Sequence, residues 1–166
     1  HDGLQWEGPD PYLLGLIAGD GTISYDRDYI TIYSVDEEIL DYCEKAGWKI
    51  SRNENWSTSR ATASLSVSRE MIKWMDRRTK KAYGILEADA ASRLAYLQGL
   101  MDTDGSADKK EGKPSFCNTE ESLAKLAYDI CWSLGGKATI NLKKFSCDRD
   151  KWYYQVAIGH QNKFNP

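Results

Sequence analysis

The chain has 166 residues, 41% hydrophobic and 28% charged, the make-up of a soluble globular protein built as one domain or as two small units sharing a core. No apolar run approaches the roughly 20 residues needed to cross a bilayer, and the start carries no signal-peptide pattern, so neither a membrane nor a secreted protein is expected. A net charge of −3 argues at first sight against a nucleic-acid partner, but residues 1–48 carry a net of −9 and residues 49–166 a net of +6. Four scattered cysteines (Cys43, Cys117, Cys131, Cys147), with only His1 and His160 beside them, make a poor zinc site and a poor disulfide framework. They suit reduced thiols in an intracellular, reducing compartment.

The first predicted element is an apolar helix over Tyr12–Asp20, with Leu13, Leu16 and Ile17 forming a stripe and Gly15 and Gly19 four apart. Gly21 is expected to end it, with positive φ. A polar break at Asp26–Asp28 then leads into a strand in which Ile30 and Ile32 point one way and Tyr29, Thr31 and Tyr33 the other. Ser34 with Glu37 resembles a capping box, and an amphipathic helix follows to a glycine stop at Gly47. After a break at Asn55–Arg60, Ala63, Leu65 and Val67 alternate with Thr62, Ser64, Ser66 and Ser68 as a strand, and a basic helix is predicted near 70–82.

The pattern then repeats. Tyr12-Leu-Leu-Gly-Leu-Ile-Ala-Gly-Asp-Gly21 recurs 84 residues later as Tyr96-Leu-Gln-Gly-Leu-Met-Asp-Thr-Asp-Gly105, identical at six of ten positions. Asn118 with Glu121 repeats the cap, and the helix runs to Gly135-Gly136. Two strands follow. In one, Ala138, Ile140 and Leu142 alternate with Thr139, Asn141 and Lys143; in the other, Trp152, Tyr154 and Val156 alternate with Tyr153 and Gln155. The fold class is therefore α+β, as two pseudo-symmetric αββαββ(α) repeats over 1–86 and 87–166 with helices on one face of antiparallel sheets. The second repeat is shortened: aligning Arg69 with His160 leaves six residues for the counterpart of the 70–82 helix, and only Lys163 stands near its basic position.

Asp20 and Asp104 both close a motif helix, where a carboxylate opposes the helix dipole and two together repel. Helices packed about their small residues would bring both to one edge, an oxygen-rich site that suits Mg²⁺ and phosphodiester chemistry. An EF-hand reading from Asp102 fails, because its sixth and twelfth positions are Ala107 and Lys113 rather than Gly and Glu. The outward strand positions carry Ser, Thr, Asn, Gln and Tyr, which can hydrogen-bond phosphates and base edges, although Thr and Tyr favour strands in any case.

The two decamers resemble the LAGLIDADG motif, and the resemblance to the LAGLIDADG homing endonuclease family, in its single-chain two-motif form, covers nearly the whole chain. It implies motif helices at a central interface and sheets forming a saddle over double-stranded DNA. It implies a monomeric endonuclease that hydrolyses phosphodiester bonds at a long asymmetric target, with no membrane and no small-molecule substrate. Divalent metal, Mg²⁺ with Mn²⁺ or Ca²⁺ able to substitute for binding, falls to Asp20 and Asp104, assisted by the carbonyls of Gly19 and Thr103. A basic catalytic partner falls to Lys80, with Lys81 next. DNA contacts fall to Ser24, Thr31, Tyr33, Ser51, Asn53, Arg60, Ser64, Ser66, Lys109, Ser115, Asn141, Lys143 and Gln155. Ala18 departs from the motif where the second copy has Asp102. A nucleic-acid-binding module of the same fold without efficient cleavage, such as an intron maturase or a regulator, is the alternative. The endonuclease domain of an intein is a third reading, although the terminal splicing residues are missing from this sequence.

Overall fold

A computed structural model describes residues 3–52, 61–66, 69–107, 112–148 and 150–159. Asp10 opens helix α1 (Pro11–Asp20) by accepting from the Tyr12 and Leu13 amides, and Pro11 takes the first helical position, where a missing N–H costs nothing. Strands β1 (Gly21–Ser24) and β2 (Tyr29–Ser34), helix α2 (Glu37–Lys45) and strands β3 (Lys49–Arg52) and β4 (Ala61–Ser66) complete the first unit. The second repeats it as α4 (Ala90–Asp104), β5 (Gly105–Ala107), β6 (Pro114–Asn118), α5 (Glu121–Ser133), β7 (Lys137–Lys144) and β8 (Trp152–Gly159). Between them lie the short helix α3 (Arg69–Ile72) and a 3-10 turn, Ile85–Glu87. The sheets are antiparallel with matching strand orders, β1-β2-β4-β3 and β5-β6-β8-β7, so the internal repeat of the sequence is a repeat of topology.

One continuous core joins the halves, with Leu14, Leu16 and Ile17 of α1, Tyr96 and Leu100 of α4, Ile30 and Ile32 of β2, and Phe116 and Val156 of the second sheet all fully buried. Leu13 through Ala18 are buried without interruption. Helix α1 is therefore enclosed on every side rather than presenting a stripe, as a helix apolar all round must be.

Four local expectations change. The basic segment after β4 is helical only over Arg69–Ile72; Asp76 closes the rest into a loop, its carboxylate accepting from the Arg78 and Thr79 amides and the Thr79 hydroxyl. Helices α2 and α5 are capped by Asp36 and Glu120, two residues beyond Ser34 and Asn118, which instead accept from the amides of those capping residues. Gly21 and Gly105 have extended backbone, φ −71° and −82°, and lead straight into strands. Glycine is needed there for space: a Cβ on Gly21 would fall 2.6 Å from the Ile17 Cα, and one on Gly105 would fall on the Met101 carbonyl. Finally, Ile140 and Leu142 share a sheet face with buried Ala138 yet are 38% and 52% exposed.

Candidate functional site

The site is set by how closely α1 and α4 approach. A Cβ on Gly15 would fall on the Tyr96 carbonyl and lie 3.0 Å from the Gly99 Cα; one on Gly99 would fall on the Tyr12 carbonyl. One turn on, Gly19 faces the Thr103 side chain, whose hydroxyl occupies the space a Cβ would need. Four small positions thus bring the backbones into contact and carry the C-terminal ends of both helices, with Asp20 and Asp104, to one edge. The motif's one departure breaks the symmetry. The Tyr12 hydroxyl donates to Asp102 Oδ2 across the interface at 2.8 Å. Its counterpart Tyr96 finds Ala18 where Asp102 would stand, and its buried hydroxyl accepts instead from the Ala82 amide at 3.4 Å.

At that edge the Lys80 ammonium donates to the carbonyls of Gly19 (3.2 Å) and Gly21 (3.0 Å). Lys80 has φ +58° in the loop closed by Asp76, a turn that directs its side chain inward. Burial pulls its ammonium below the usual lysine range, and the carboxylates of Asp104 and Asp20 oppose that pull. Burial likewise lifts the Asp104 carboxyl above the usual carboxylate range, and Asp20 pushes the same way, against the Asn118 hydrogen bond and Lys80. Asn118 Nδ2 holds Asp104 Oδ2 at 2.7 Å. Asp20 is the more exposed of the two carboxylates. Lys81 goes elsewhere, to a cleft with Asp76, Tyr83 and Glu87 against Ser122 and Leu126 of α5.

Each aspartate lines a cleft, and the two linings share equivalent positions. Asp20 lies with Tyr33 and Ser34, and Asp104 with Cys117 and Asn118, every pair 84 residues apart. Among the described residues no group of three or more His, Cys, Asp or Glu side chains could hold a metal. The two carboxylates would therefore share a cation with backbone carbonyls, water or substrate oxygen, a donor set in keeping with Mg²⁺.

Comparison with known proteins bears on the same features. The family model described as a LAGLIDADG-like domain matches residues 91–163. Solved structures of the homing endonuclease I-DmoI superpose on the chain: a mesophilic variant at TM-score 0.62 and 19% identity, covering 90% of this chain and 87% of that one, and a complex with DNA and Ca at TM-score 0.59 and 18% identity, covering 90% and 82%. Residues 91–163 carry the match to the LAGLIDADG-like domain, and the chain as a whole shares the fold of these endonuclease structures. It has the two-motif form, with both motifs in one polypeptide. The same fold occurs in full-length DUF199/WhiA from Thermatoga maritima, at TM-score 0.61 and 16% identity over 88% of this chain and 49% of that one. Among curated proteins, an A-type ATP synthase component of Methanopyrus kandleri is 25% identical over 154 residues, which is 90% of this chain. The chain spans only 14% of that relative's length.

Within this LAGLIDADG fold the strand register sorts the expected DNA contacts. On the first sheet Ser24 pairs with Tyr29, Thr31 with Ser64, Tyr29 with Ser66 and Tyr33 with Thr62, which pairs with Ser51, so these positions lie in register across the sheet. On the second, Ser115 pairs with Ala157, and Asn141 and Cys117 both pair with Gln155, with Lys143 beside Tyr153. Tyr33, Ser51, Asn141 and Lys143 are exposed there. Thr31 and Ser115, equivalent positions 84 apart, are only 6% and 7% exposed. Ser115 accepts from Gln155 at 3.3 Å and bonds Ser106 at 3.1 Å, so it supports its neighbours and holds Gln155 against the sheet. Asn53, Arg60 and Lys109 lie outside the described residues, as does Lys163. Asn118 is the site residue that sequence reasoning missed; its 14-residue spacing from Asp104, the spacing of Ser34 from Asp20, was the available signal.

Proposed function

We propose that this chain is a divalent-metal-dependent DNA endonuclease that acts as a monomer and hydrolyses both strands of a long, asymmetric target. The observation that carries this is the centre itself. Two motif carboxylates meet at one edge of a glycine-packed interface, together with a lysine ammonium already seated on the helix-end carbonyls. A carbonyl cluster that attracts an ammonium is a fitting place for a metal cation.

Asp20, Asp104 and the Gly19 and Thr103 carbonyls would hold the metal. When bound it would supply Lewis-acid activation of water and neutralise charge on the departing 3′-oxygen. The protein's own groups do the rest. Asn118 fixes the Asp104 carboxylate in one orientation. Lys80, within reach of both carboxylates, would donate to a phosphate oxygen as negative charge builds in the pentavalent transition state. The exposed faces around Tyr33, Ser51, Asn141 and Lys143 would follow the DNA groove on either side.

The I-DmoI structures were determined with DNA and with Ca, Mn or Mg, which supports DNA as partner and a divalent cation as cofactor. The small share of the ATP synthase relative that is matched supports an endonuclease region carried inside a longer polypeptide. Four free cysteines suit a reducing compartment.

The experiment is selection of a binding site from a random DNA library in Ca²⁺, followed by a switch to Mg²⁺. Cleavage is expected from the wild-type chain and none from Asp20→Asn combined with Asp104→Asn. A selected site that is bound but never cut, with or without those aspartates, would favour a binding module of the same fold.

A further inference from the structure

We infer that Lys80 and a bound metal compete for the Gly19 carbonyl, and that metal entry displaces the Lys80 ammonium toward the DNA phosphate. This rests on the metal-centre reading above and adds an antagonism between two cations within it.

The geometry is specific. Lys80 Nζ lies 3.2 Å from the Gly19 carbonyl oxygen and 3.0 Å from that of Gly21, bracketing Asp20 from both sides along the chain. Gly19 contributes the last carbonyl before Asp20, the donor a cation on the Asp20 carboxylate would share. A divalent ion about 2.0–2.6 Å from that carbonyl oxygen would lie within roughly 6 Å of the ammonium. Two cations so close, both partly shielded from water, repel strongly.

Without metal, something must offset two adjacent carboxylates at the negative ends of two helices. Lys80 is the group in place to do so. Its backbone is anchored independently of the centre: the Lys80 amide donates to the Asp76 carbonyl at 2.9 Å, and the Asp76 amide donates to the Lys81 carbonyl at 2.8 Å. The Asp76 carboxylate holds the intervening turn. Displacement therefore needs only rotation of the lysine stem, with the loop unmoved. The released ammonium remains beside the centre, where a phosphate oxygen of bound DNA is the natural acceptor. Metal and DNA should consequently bind with positive coupling, each favouring the state with Lys80 withdrawn.

The test is calorimetric titration of Ca²⁺ into the DNA-free chain. Lys80→Met and Lys80→Gln should each bind Ca²⁺ about fivefold or more tighter than wild type, the lower range of ordinary coupling between sites. Lys81→Met, whose side chain lies in another cleft, should bind as wild type does. Equal or weaker Ca²⁺ binding in both Lys80 variants would overturn the inference. A measurement free of substitutions stands beside it: the ammonium resonance of Lys80, protected from exchange in the metal-free protein, should vanish or shift on Ca²⁺ saturation. Its persistence unchanged would count equally against displacement. The Asp20→Asn, Asp104→Asn variant separates the levels. If the Ca²⁺ isotherm survives in it, the metal-centre reading fails and this inference with it. If the isotherm is lost there but indifferent to Lys80, only the displacement fails.

Discussion

Replacing Gly99 by alanine adds one methyl group at the point where the two motif helices touch. Its Cβ would fall on the Tyr12 carbonyl, 2.8 Å from the Leu16 nitrogen and 3.0 Å from the Gly15 carbonyl carbon. Non-bonded carbon atoms prefer about 3.5–4.0 Å, so the helices must separate by roughly 1 Å. Overpacking of this kind costs about 1–3 kcal/mol, and the upper end applies because the obstructing atoms are backbone and cannot rotate away. Alanine's helix preference over glycine returns about 1 kcal/mol. The expected net loss is about 2 kcal/mol, which for a chain of this size lowers Tm by about 4–8 °C. The sign is the informative part, since helix preference alone would raise Tm. Thermal melts by circular dichroism, with urea titration alongside, read it directly. The matching control is Gly47→Ala, at φ +89° with open space around it; it carries backbone strain but leaves the helix interface alone. Only Gly99→Ala should also weaken Ca²⁺-dependent DNA binding. A Gly99→Ala protein that melts at or above the wild-type temperature would refute the close-packing argument.

Further outcomes follow from the same geometry. Because burial holds the Asp104 carboxyl above its ordinary range, its ionisation on folding is unfavourable. Stability from this group is therefore greatest below the unfolded carboxylate range and is lost as pH rises through the raised folded value. Asp104→Asn should then melt higher than wild type near neutrality, with the gain shrinking on acidification; a lower melting temperature at neutral pH would contradict this. Asp76 behaves oppositely, its carboxyl pulled down to about 2 by the Thr79 amide and hydroxyl together with the Arg78 amide. Its contribution is present above the ordinary value of 3.8 and fades as pH falls toward 2. Asp76→Ala should accordingly lower Tm at pH 7 by an amount that disappears in acid, and should slow cleavage by loosening the loop that carries Lys80. Tyr12→Phe removes the cross-interface bond to Asp102 and should cost about 1 kcal/mol in urea unfolding. Tyr96→Phe, which loses only a 3.4 Å contact with an amide, should cost less.

How much of this was legible in the sequence depends on what each signal encoded. The duplicated decamer placed both helix ends, because apolar residues and glycines four apart can be buried only by a second helix of the same kind. Alternation in 29–33 and 138–143 placed the strand faces, since a strand's side chains must alternate. The pattern could not show that Thr31 and Ser115 are buried, because burial on a polar face depends on cross-strand contacts such as the Gln155 side chain bonding Ser115. The 70–82 segment misled through its basic, helix-favouring composition. What decides its shape is the Asp76 carboxylate bonding amides and a hydroxyl two and three residues on, a local competitor to helix that averaged propensity hides. Asn118 read as a helix cap, and it does accept from the Glu120 amide. Its second bond, to Asp104, joins residues 14 apart through a strand pairing that no local pattern specifies.

The central claim is that Asp20 and Asp104 together hold the cation that cleaves DNA. Its most direct measurement is anomalous scattering from Mn²⁺ in crystals of the chain with its selected DNA site. The expected result is a peak in contact with both carboxylates and with the Gly19 or Thr103 carbonyl, beside a DNA phosphate, with the Lys80 ammonium no longer on Gly19. Manganese bound away from both aspartates, in a crystal where the DNA is nonetheless cut, would contradict it.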